Sequence, residues 1–172
     1  MYKKIYKSLI GDLVLTSDGE ALTGLYFISS SKGALLAKNV EPCDEPIFAD
    51  SFSWLDKYFN GEKPNFIPKI NVGNLSPFRR LVVEIIKNVP YGETVSYGEI
   101  EKKVALRLSK DKMSAQAVGG AVGANPICII IPCHRVVGKD GNLTGYAGGI
   151  ENKINLLKHE NIDMKKFYLP EL

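Results

Sequence analysis

The fold and the chemistry of this chain depend on one segment, Ile129-Ile130-Ile131-Pro132-Cys133-His134-Arg135-Val136-Val137-Gly138-Lys139. The apolar run that leads into it, residues 127–131, is short and rich in branched side chains, which is typical of a buried strand. Because proline cannot continue a central strand, the chain should leave the sheet at Pro132. The pattern therefore predicts that a thiol, an imidazole and a guanidinium lie together at the edge of a hydrophobic core.

From the residues alone, Cys133 has two interpretations. Most free cysteines are small buried hydrophobic residues, and Cys128 inside the apolar run fits that description. Cys133 instead lies next to a histidine and an arginine, a positively charged setting that favours the thiolate. Neighbouring strand residues point to opposite faces, so contact between His134 and the sulfur needs a bridging water or a turn after Pro132. A structural role and a catalytic role for Cys133 both stay open at this point.

The composition is that of a soluble globular protein, with 45% hydrophobic and 24% charged residues among 172. The formal net charge of +3 is compatible with a polyanionic partner but does not indicate one. Three cysteines form no disulfide framework and favour a reducing, cytoplasmic compartment. The two histidines and the cysteines lack the spacing of a zinc site, so we expect no metal. The sequence shows neither a signal peptide nor an apolar run long enough for a membrane span.

The amino-terminal part predicts three strands, one helix and a linker. The strands are expected at residues 3–10, 13–17 and 21–28, and an Asp-Gly turn joins the last two. Apolar residues then recur at helical spacing over residues 47–59. Residues 64–76 are rich in proline, glycine and asparagine, which indicates a linker with at most one short strand at 66–72. We therefore expect an amino-terminal domain over residues 1–72.

The carboxy-terminal domain, residues 73–172, is predicted to be mainly helical. Ser76 and the proline after it begin a helix that ends near residue 88. Ser96 and Glu99 form a capping-box pattern that begins a second helix. A basic joint, Arg107–Lys112, leads to a third segment at 114–124, and the pair indicates helix-turn-helix topology. A last helix is expected at 150–160.

Two glycine-rich segments each have a structural and a functional interpretation. In residues 115–126 each helical glycine costs about 1 kcal/mol relative to alanine, so the segment is a loop, a closely packed helix, or a smooth surface for a ligand such as DNA. In Gly145-Tyr146-Ala147-Gly148-Gly149, the tyrosine is either the aromatic plug of a turn or the proton donor of a loop that closes over a flat ligand. The residues alone do not decide between these interpretations.

Five motifs in this order, IPCHRV preceded by SYGEI and AVGGAVGANP and followed by GYAGG and LLKHE, closely resemble the O6-alkylguanine-DNA alkyltransferases. The resemblance covers about residues 76–160. It implies an α/β fold with a ribonuclease-H-like amino-terminal domain and a mainly helical, winged helix-turn-helix carboxy-terminal domain. It also implies repair of double-stranded DNA by irreversible transfer of the alkyl group from O6-alkylguanine, and also from O4-alkylthymine, to Cys133. Such a protein acts once, as a monomer, without a cofactor.

The resemblance also assigns roles to single residues. Cys133 matches the alkyl acceptor, His134 the base that acts through water, and Glu160 the carboxylate that orients the histidine. Without the resemblance, Glu160 would be taken as a solvated charge at a helix end. The remaining matches are Asn125, which braces the active-site turn, Tyr146, which serves the guanine leaving group, and a set that contacts substrate or DNA: Tyr97, Gln116, Ala117, Gly119, Arg135, Val136 and Ala147. Within that set, Ala147 contributes its backbone N–H. Arg135 matches the family motif, and its role is expected to be mainly structural.

One departure from the family pattern concerns DNA binding. Gln116 stands where the family usually has the arginine that fills the gap left by the extruded base, and the stretch between Tyr97 and Gln116 is longer than usual. Both features predict weaker base extrusion. Two other classes of protein remain as alternatives: a non-catalytic protein that binds alkylated DNA, which Cys133 argues against, and a winged-helix regulator that senses alkylation, for which no effector domain is evident.

Overall fold

The computed structural model describes residues 1–170 and divides the chain into two compact units. The first unit contains residues 1–73 together with 126–128, and the second contains 74–125 and the chain from 129 onward. Within residues 1–170, every helix is too short or too polar to cross a lipid bilayer.

The first unit is built on a three-stranded antiparallel sheet. Its strands β1 (Tyr2–Tyr6), β2 (Leu13–Ser17) and β3 (Leu22–Phe27) lie side by side in chain order. The turn between β2 and β3 is held by the Asp18 carboxylate, which accepts hydrogen bonds from the amides of Glu20 and Ala21. All three predicted strands form, because the apolar pattern and the Asp-Gly turn are local signals, but β1 ends at Tyr6 and not at residue 10 as predicted.

Two helices belong to this unit. Helix α2 (Pro46–Phe59) packs against β2 and β3 and confirms the predicted helix. Helix α1 (Ser31–Leu36) was not predicted. The Ser30 side chain caps it by accepting from the Gly33 amide. The strand expected at 66–72 is reduced to a single bridge between Ile70 and Leu22. The core contains large, fully buried side chains: Leu13, Leu15, Leu22, Leu25, Phe27, Phe48, Leu55 and Tyr58.

The second unit is mainly helical, as predicted. Helices α3 (Pro77–Lys87), α4 (Tyr97–Arg107) and α5 (Ala115–Gly123) pack against one another, and α6 (Ile150–His159) follows later in the chain. Each of the first three helices begins at a serine whose side chain accepts from an amide in the first turn: Ser76, Ser96 and Ser114. Two short strands, β4 (Val95–Ser96) and β5 (Val136–Val137), pair in parallel.

The predicted strand at residues 127–131 is wrong. These residues are buried, but Ile127 alone among them forms a bridge, to Leu25 within the first unit, and the next residues form a turn. Ile129 has a φ of 67°, in the left-handed region that branched side chains rarely occupy. This conformation ends the extended chain before Pro132. The strand instead follows the cysteine, as β5.

Candidate active site

Cys133, His134 and Arg135 form one turn of 3₁₀-helix that leads directly into β5. All three side chains are buried, with 7% of Cys133 and none of His134 exposed. The thiol therefore lies in a tight turn and not at a strand end. The backbone therefore turns after Pro132, which is one of the two arrangements, beside a bridging water, that would let His134 act on the sulfur.

Asn125, which precedes this turn in the chain, forms hydrogen bonds to two points of the segment. Its side-chain amide donates to the carbonyl of Ile131 at 2.9 Å and to the sulfur of Cys133 at 3.1 Å. One donor group thus holds the backbone before the turn and the sulfur within it. The structure brings Asn125 to the position that the resemblance implied.

Glu160 closes the site from the end of α6 and is only 3% exposed. Its Oε1 accepts from His134 Nε2 at 2.7 Å and from Arg135 Nη2 at 2.9 Å. Its Oε2 accepts from Arg135 Nε at 2.9 Å and from the Gly92 amide at 3.0 Å. The interpretation of Glu160 as a solvated terminal charge is wrong, because the helix end is turned into the protein.

The contacts of Glu160 determine which nitrogen of His134 carries the hydrogen, and burial favours the neutral ring. Burial alone would raise the pKa of Glu160, but hydrogen bonds and charge from His134 and Arg135 hold it well below its usual range. An ionised carboxylate can only accept, so His134 Nε2 carries the hydrogen. Burial lowers the pKa of His134 in spite of the nearby carboxylate. His134 is therefore neutral, and its buried Nδ1, which has no hydrogen-bond partner among residues 1–170, is a proton acceptor.

The protonation of Cys133 differs from the expectation. Burial raises the pKa of the thiol, and the hydrogen bond from Asn125 and the charge of Lys153 oppose that effect without overcoming it. Removal of the sulfur from water thus acts against the thiolate that its sequence neighbours are expected to favour. A buried neutral thiol needs a base before it can act as a nucleophile.

Lys153 belongs to the site although no motif pointed to it. Its side chain is fully buried, and its ammonium donates to the carbonyls of Val136 and, at 3.3 Å, Thr144. Burial lowers its pKa to about 8, and the charge of Cys133 acts in the opposite direction. The signal was present in the sequence, since a lysine occupies the apolar face of α6 at helical spacing from Ile150 and Leu157.

The glycine-rich loop at 145–149 lies beside the start of α4. The Tyr97 hydroxyl donates to the carbonyl of Gly145 at 3.3 Å. Burial raises the pKa of Tyr97, and the charge of Cys133 adds to that rise, so the hydroxyl keeps its proton. Tyr146 is half-buried with its hydroxyl oxygen shielded from solvent, whereas Ala147 is exposed. Two tyrosine hydroxyls are thus associated with this loop.

The remaining predicted site residues lie either on α5 or in the segment from Cys133 to the end of β5. Gln116 and Ala117 are exposed in the first turn of α5. A Cβ atom placed on Gly119, Gly120 or Gly123 would meet nothing within 4 Å, so close packing against the described residues does not explain these glycines. Val136 is buried. The Arg135 side chain is buried and paired with Glu160.

Comparison with known proteins identifies the family. The model of the 6-O-methylguanine DNA methyltransferase ribonuclease-like domain matches residues 1–70, and that of the DNA binding domain matches residues 77–162. A methylated-DNA–protein-cysteine methyltransferase from Haemophilus influenzae is 40% identical over 94% of this chain and 87% of its own length. One from Methanosarcina acetivorans is 39% identical over 93% and 98%.

A solved structure shows the same fold. Mycobacterium tuberculosis OGT in complex with DNA superposes with a TM-score of 0.78 and is 35% identical, covering 97% of this chain and 95% of that one. Sequence identity and coverage at this level extend over both units of the chain. The chain therefore belongs to the methylated-DNA–protein-cysteine methyltransferase family.

Proposed function

We propose that this protein repairs double-stranded DNA by moving the alkyl group of O6-alkylguanine to Cys133, and that each molecule acts once. The names of its relatives support a cysteine as the acceptor. The observation that carries the proposal is the buried Cys133 turn, in which a neutral imidazole oriented by Glu160 has a buried acceptor nitrogen. Cys133 lies in the same 3₁₀ turn as His134, whereas Cys43 and Cys128 lie outside that turn.

The chemistry follows from this arrangement. The Cys133 thiol passes its proton through a water molecule to Nδ1 of His134, and Glu160 stabilises the imidazolium that forms. The sulfur then forms a bond with the alkyl carbon while the bond from that carbon to O6 breaks. The electron pair of the broken bond stays on guanine, whose ring is protonated by Tyr146. The product thioether has no carbonyl for water to attack, so the protein is consumed.

Access to O6 requires that the base leave the stack. In our proposal α4 and α5 form the helix-turn-helix of a winged domain, with β4 and β5 in its wing. The side-chain-free surface of α5 at Gly119, with Ala117, then lies against the minor groove. Gln116 fills the gap in the duplex, and Tyr97 contacts the backbone near the extruded nucleotide. The backbone of Val136 and the Ala147 N–H contact the guanine.

Several finer assignments are part of the same proposal. Residues 1–72 form a domain of ribonuclease-H-like shape, and 73–172 form the alkyltransferase domain. The protein acts as a cytoplasmic monomer without a cofactor, and O4-alkylthymine is a second substrate.

Intact-protein mass spectrometry with a duplex that contains one O6-methylguanine tests the proposal. We expect the protein to gain one methyl group, with loss of one proton, and peptide mapping to locate it on Cys133. Cys133→Ser should gain nothing and still bind the duplex, whereas Cys128→Ser is the matched control that keeps transfer. Binding without any methylated protein would favour the non-catalytic class. A methyl group on Cys128 or Cys43 would refute the assignment of Cys133.

A further inference from the structure

Arg135 is a charged residue of the cluster that the transfer mechanism leaves unused. We propose that it is a positioning residue: by neutralising Glu160, it keeps His134 in the neutral state that can accept the thiol proton. The inference rests on the proposed function, in which His134 is the base. It assigns to the arginine of the Cys-His-Arg turn a part in the reaction that a purely structural ion pair would not have.

The guanidinium is held rigidly on several sides. Nε and Nη2 pair with the two oxygens of Glu160, both at 2.9 Å, and Nη1 donates to the carbonyl of Val89 at 2.7 Å. The ring of Tyr91 lies 5.7 Å from Cζ, within the range of a cation–π contact. Since Val89 and Tyr91 belong to the connection after α3, the guanidinium joins this connection to the end of α6. A planar fork of donors suits such two-point pairing, and arginine does not lose its proton in proteins.

The charges around His134 show why this pairing matters. His134 faces Glu160 at 2.7 Å, and the charges of Arg135 and Lys153 also act on it. A carboxylate at that distance with no other cation would favour the imidazolium. An imidazolium cannot take the proton of a neutral thiol. Burial, Arg135 and Lys153 lower the pKa of His134 against the attraction of Glu160. The pairing of Arg135 with both carboxylate oxygens reduces that attraction.

The same pairing acts after the proton has moved. The imidazolium formed during transfer still faces an ionised Glu160, since Arg135 stabilises the carboxylate form and disfavours the carboxylic acid. The proton therefore remains on His134 and does not pass on to Glu160. Arg135 therefore acts through the Glu160 carboxylate both before and after the proton transfer, without contact with substrate or sulfur.

Histidine labelling gives a direct measurement, because the chain has only His134 and His159. ¹³C-labelled histidine followed by NMR against pH reports the protonation of each ring, and a His159→Gln spectrum assigns the two signals. In the wild-type protein we expect His134 to be a neutral imidazole with hydrogen on Nε2 at pH 7. A wild-type His134 that is already an imidazolium at pH 7 would overturn the proposal without any change to Arg135.

Two substitutions separate the charge of Arg135 from its shape. Arg135→Met removes the charge and should raise the pKa of His134 by about 1–3 units, as for an opposite charge no longer compensated. The pH dependence of the single-turnover transfer rate should move to higher pH for the same reason. Arg135→Lys keeps the charge, so His134 should stay neutral at pH 7 even if the lost pairing lowers the melting temperature.

The outcomes decide between a charge effect and simple packing. A folded Arg135→Met protein with the wild-type titration of His134 would show that the arginine is only structural. An imidazolium at pH 7 in Arg135→Lys would also refute the proposal, and that variant decides alone if Arg135→Met does not fold. Failure of the proposed function is distinct, since the methyl group would then appear on a residue other than Cys133.

Discussion

The buried cluster around Cys133 and the exposed surface of α5 differ in how they prepare the molecule for one reaction. In the cluster, donors and acceptors are already joined: Asn125 to the sulfur, His134 and Arg135 to Glu160. On α5, Gln116 and Ala117 are exposed, and glycines without side chains follow them at positions 119, 120 and 123. Chemistry is built from fixed polar contacts, whereas the surface proposed to approach DNA is built by leaving side chains out.

The two regions should therefore respond differently to substitution. Removing one partner inside the cluster leaves a buried polar group without its hydrogen bond, which costs more than losing an exposed contact. Changing a residue on the surface of α5 alters DNA affinity while the cluster stays intact. The expected effects on transfer decrease from the centre of the cluster outward.

His134→Ala should have the largest effect on transfer that leaves Cys133 in place. General-base catalysis contributes about 10²–10⁴-fold, so we expect a loss of that size in the single-turnover rate at pH 7. The remaining rate should rise with pH until the thiol ionises by itself, since burial raises its pKa. Rapid-quench measurement of methyl transfer against pH tests this, with His159→Ala as the matched control. An unchanged rate and pH profile would show that His134 only packs.

How much of this arrangement could be predicted depends on the distance along the chain. The helix starts at Ser76, Ser96 and Ser114 were predictable, because each cap joins residues within one turn. The pairing of His134 with Glu160 joins residues 26 positions apart. Only the family resemblance indicated it, since the residues alone suggest a solvated charge.

Two features of the site escaped prediction for a different reason. An apolar run shows that residues 127–131 are buried, but it does not distinguish a strand from a buried turn. The positive φ of Ile129 places this segment in a turn. Lys153 was overlooked because one lysine among apolar positions is usually a side chain that reaches solvent. Here its ammonium stays inside, bonded to backbone carbonyls that the sequence pattern does not locate.

Lys153→Met should give a smaller loss of transfer, because the lysine acts on the sulfur only through its charge. Without that charge the pKa of Cys133 rises further, and each unit of increase lowers the thiolate fraction at pH 7 about tenfold. We expect a slower reaction of Cys133 with iodoacetamide, recovered at higher pH. Lys158→Met, the same change at an exposed position on α6, is the control. Equal reactivity of Cys133 with iodoacetamide in both variants would show that the charge of Lys153 does not affect the thiol.

The same lysine makes stability depend on pH in a defined direction. Its pKa of about 8 in the folded protein lies below the ordinary value of 10.5, so the unfolded chain binds more protons between these two values. The free energy of unfolding contributed by this group therefore rises as pH increases from about 8 to about 10.5. Urea titrations at pH 7.5 and 9.5 should show a larger gain for the wild type than for Lys153→Met. A parallel change in both proteins would contradict this account of Lys153.

Gln116→Arg should have the smallest effect and tests the exposed region alone. Glutamine is shorter than arginine and uncharged, so it can hydrogen-bond in the gap left by an extruded base but cannot pair with a phosphate or stack as a guanidinium. Arg107, Lys110 and Lys112 are exposed in the joint before α5 and can compensate through the DNA backbone. We expect a modest gain in affinity and transfer rate for Gln116→Arg.

Salt dependence distinguishes the contribution of the basic joint before α5 from that of residue 116. Each phosphate contact adds about 0.9 to the slope of log affinity against log salt concentration. Replacing Lys110 and Lys112 with glutamine should lower that slope, and Gln116→Arg should raise affinity in either background. Asn155→Arg, which adds the same charge at an exposed position on α6, controls for net charge. If Gln116→Arg behaves like Asn155→Arg in affinity and rate, residue 116 does not occupy the gap, and the first turn of α5 does not enter the duplex where we propose.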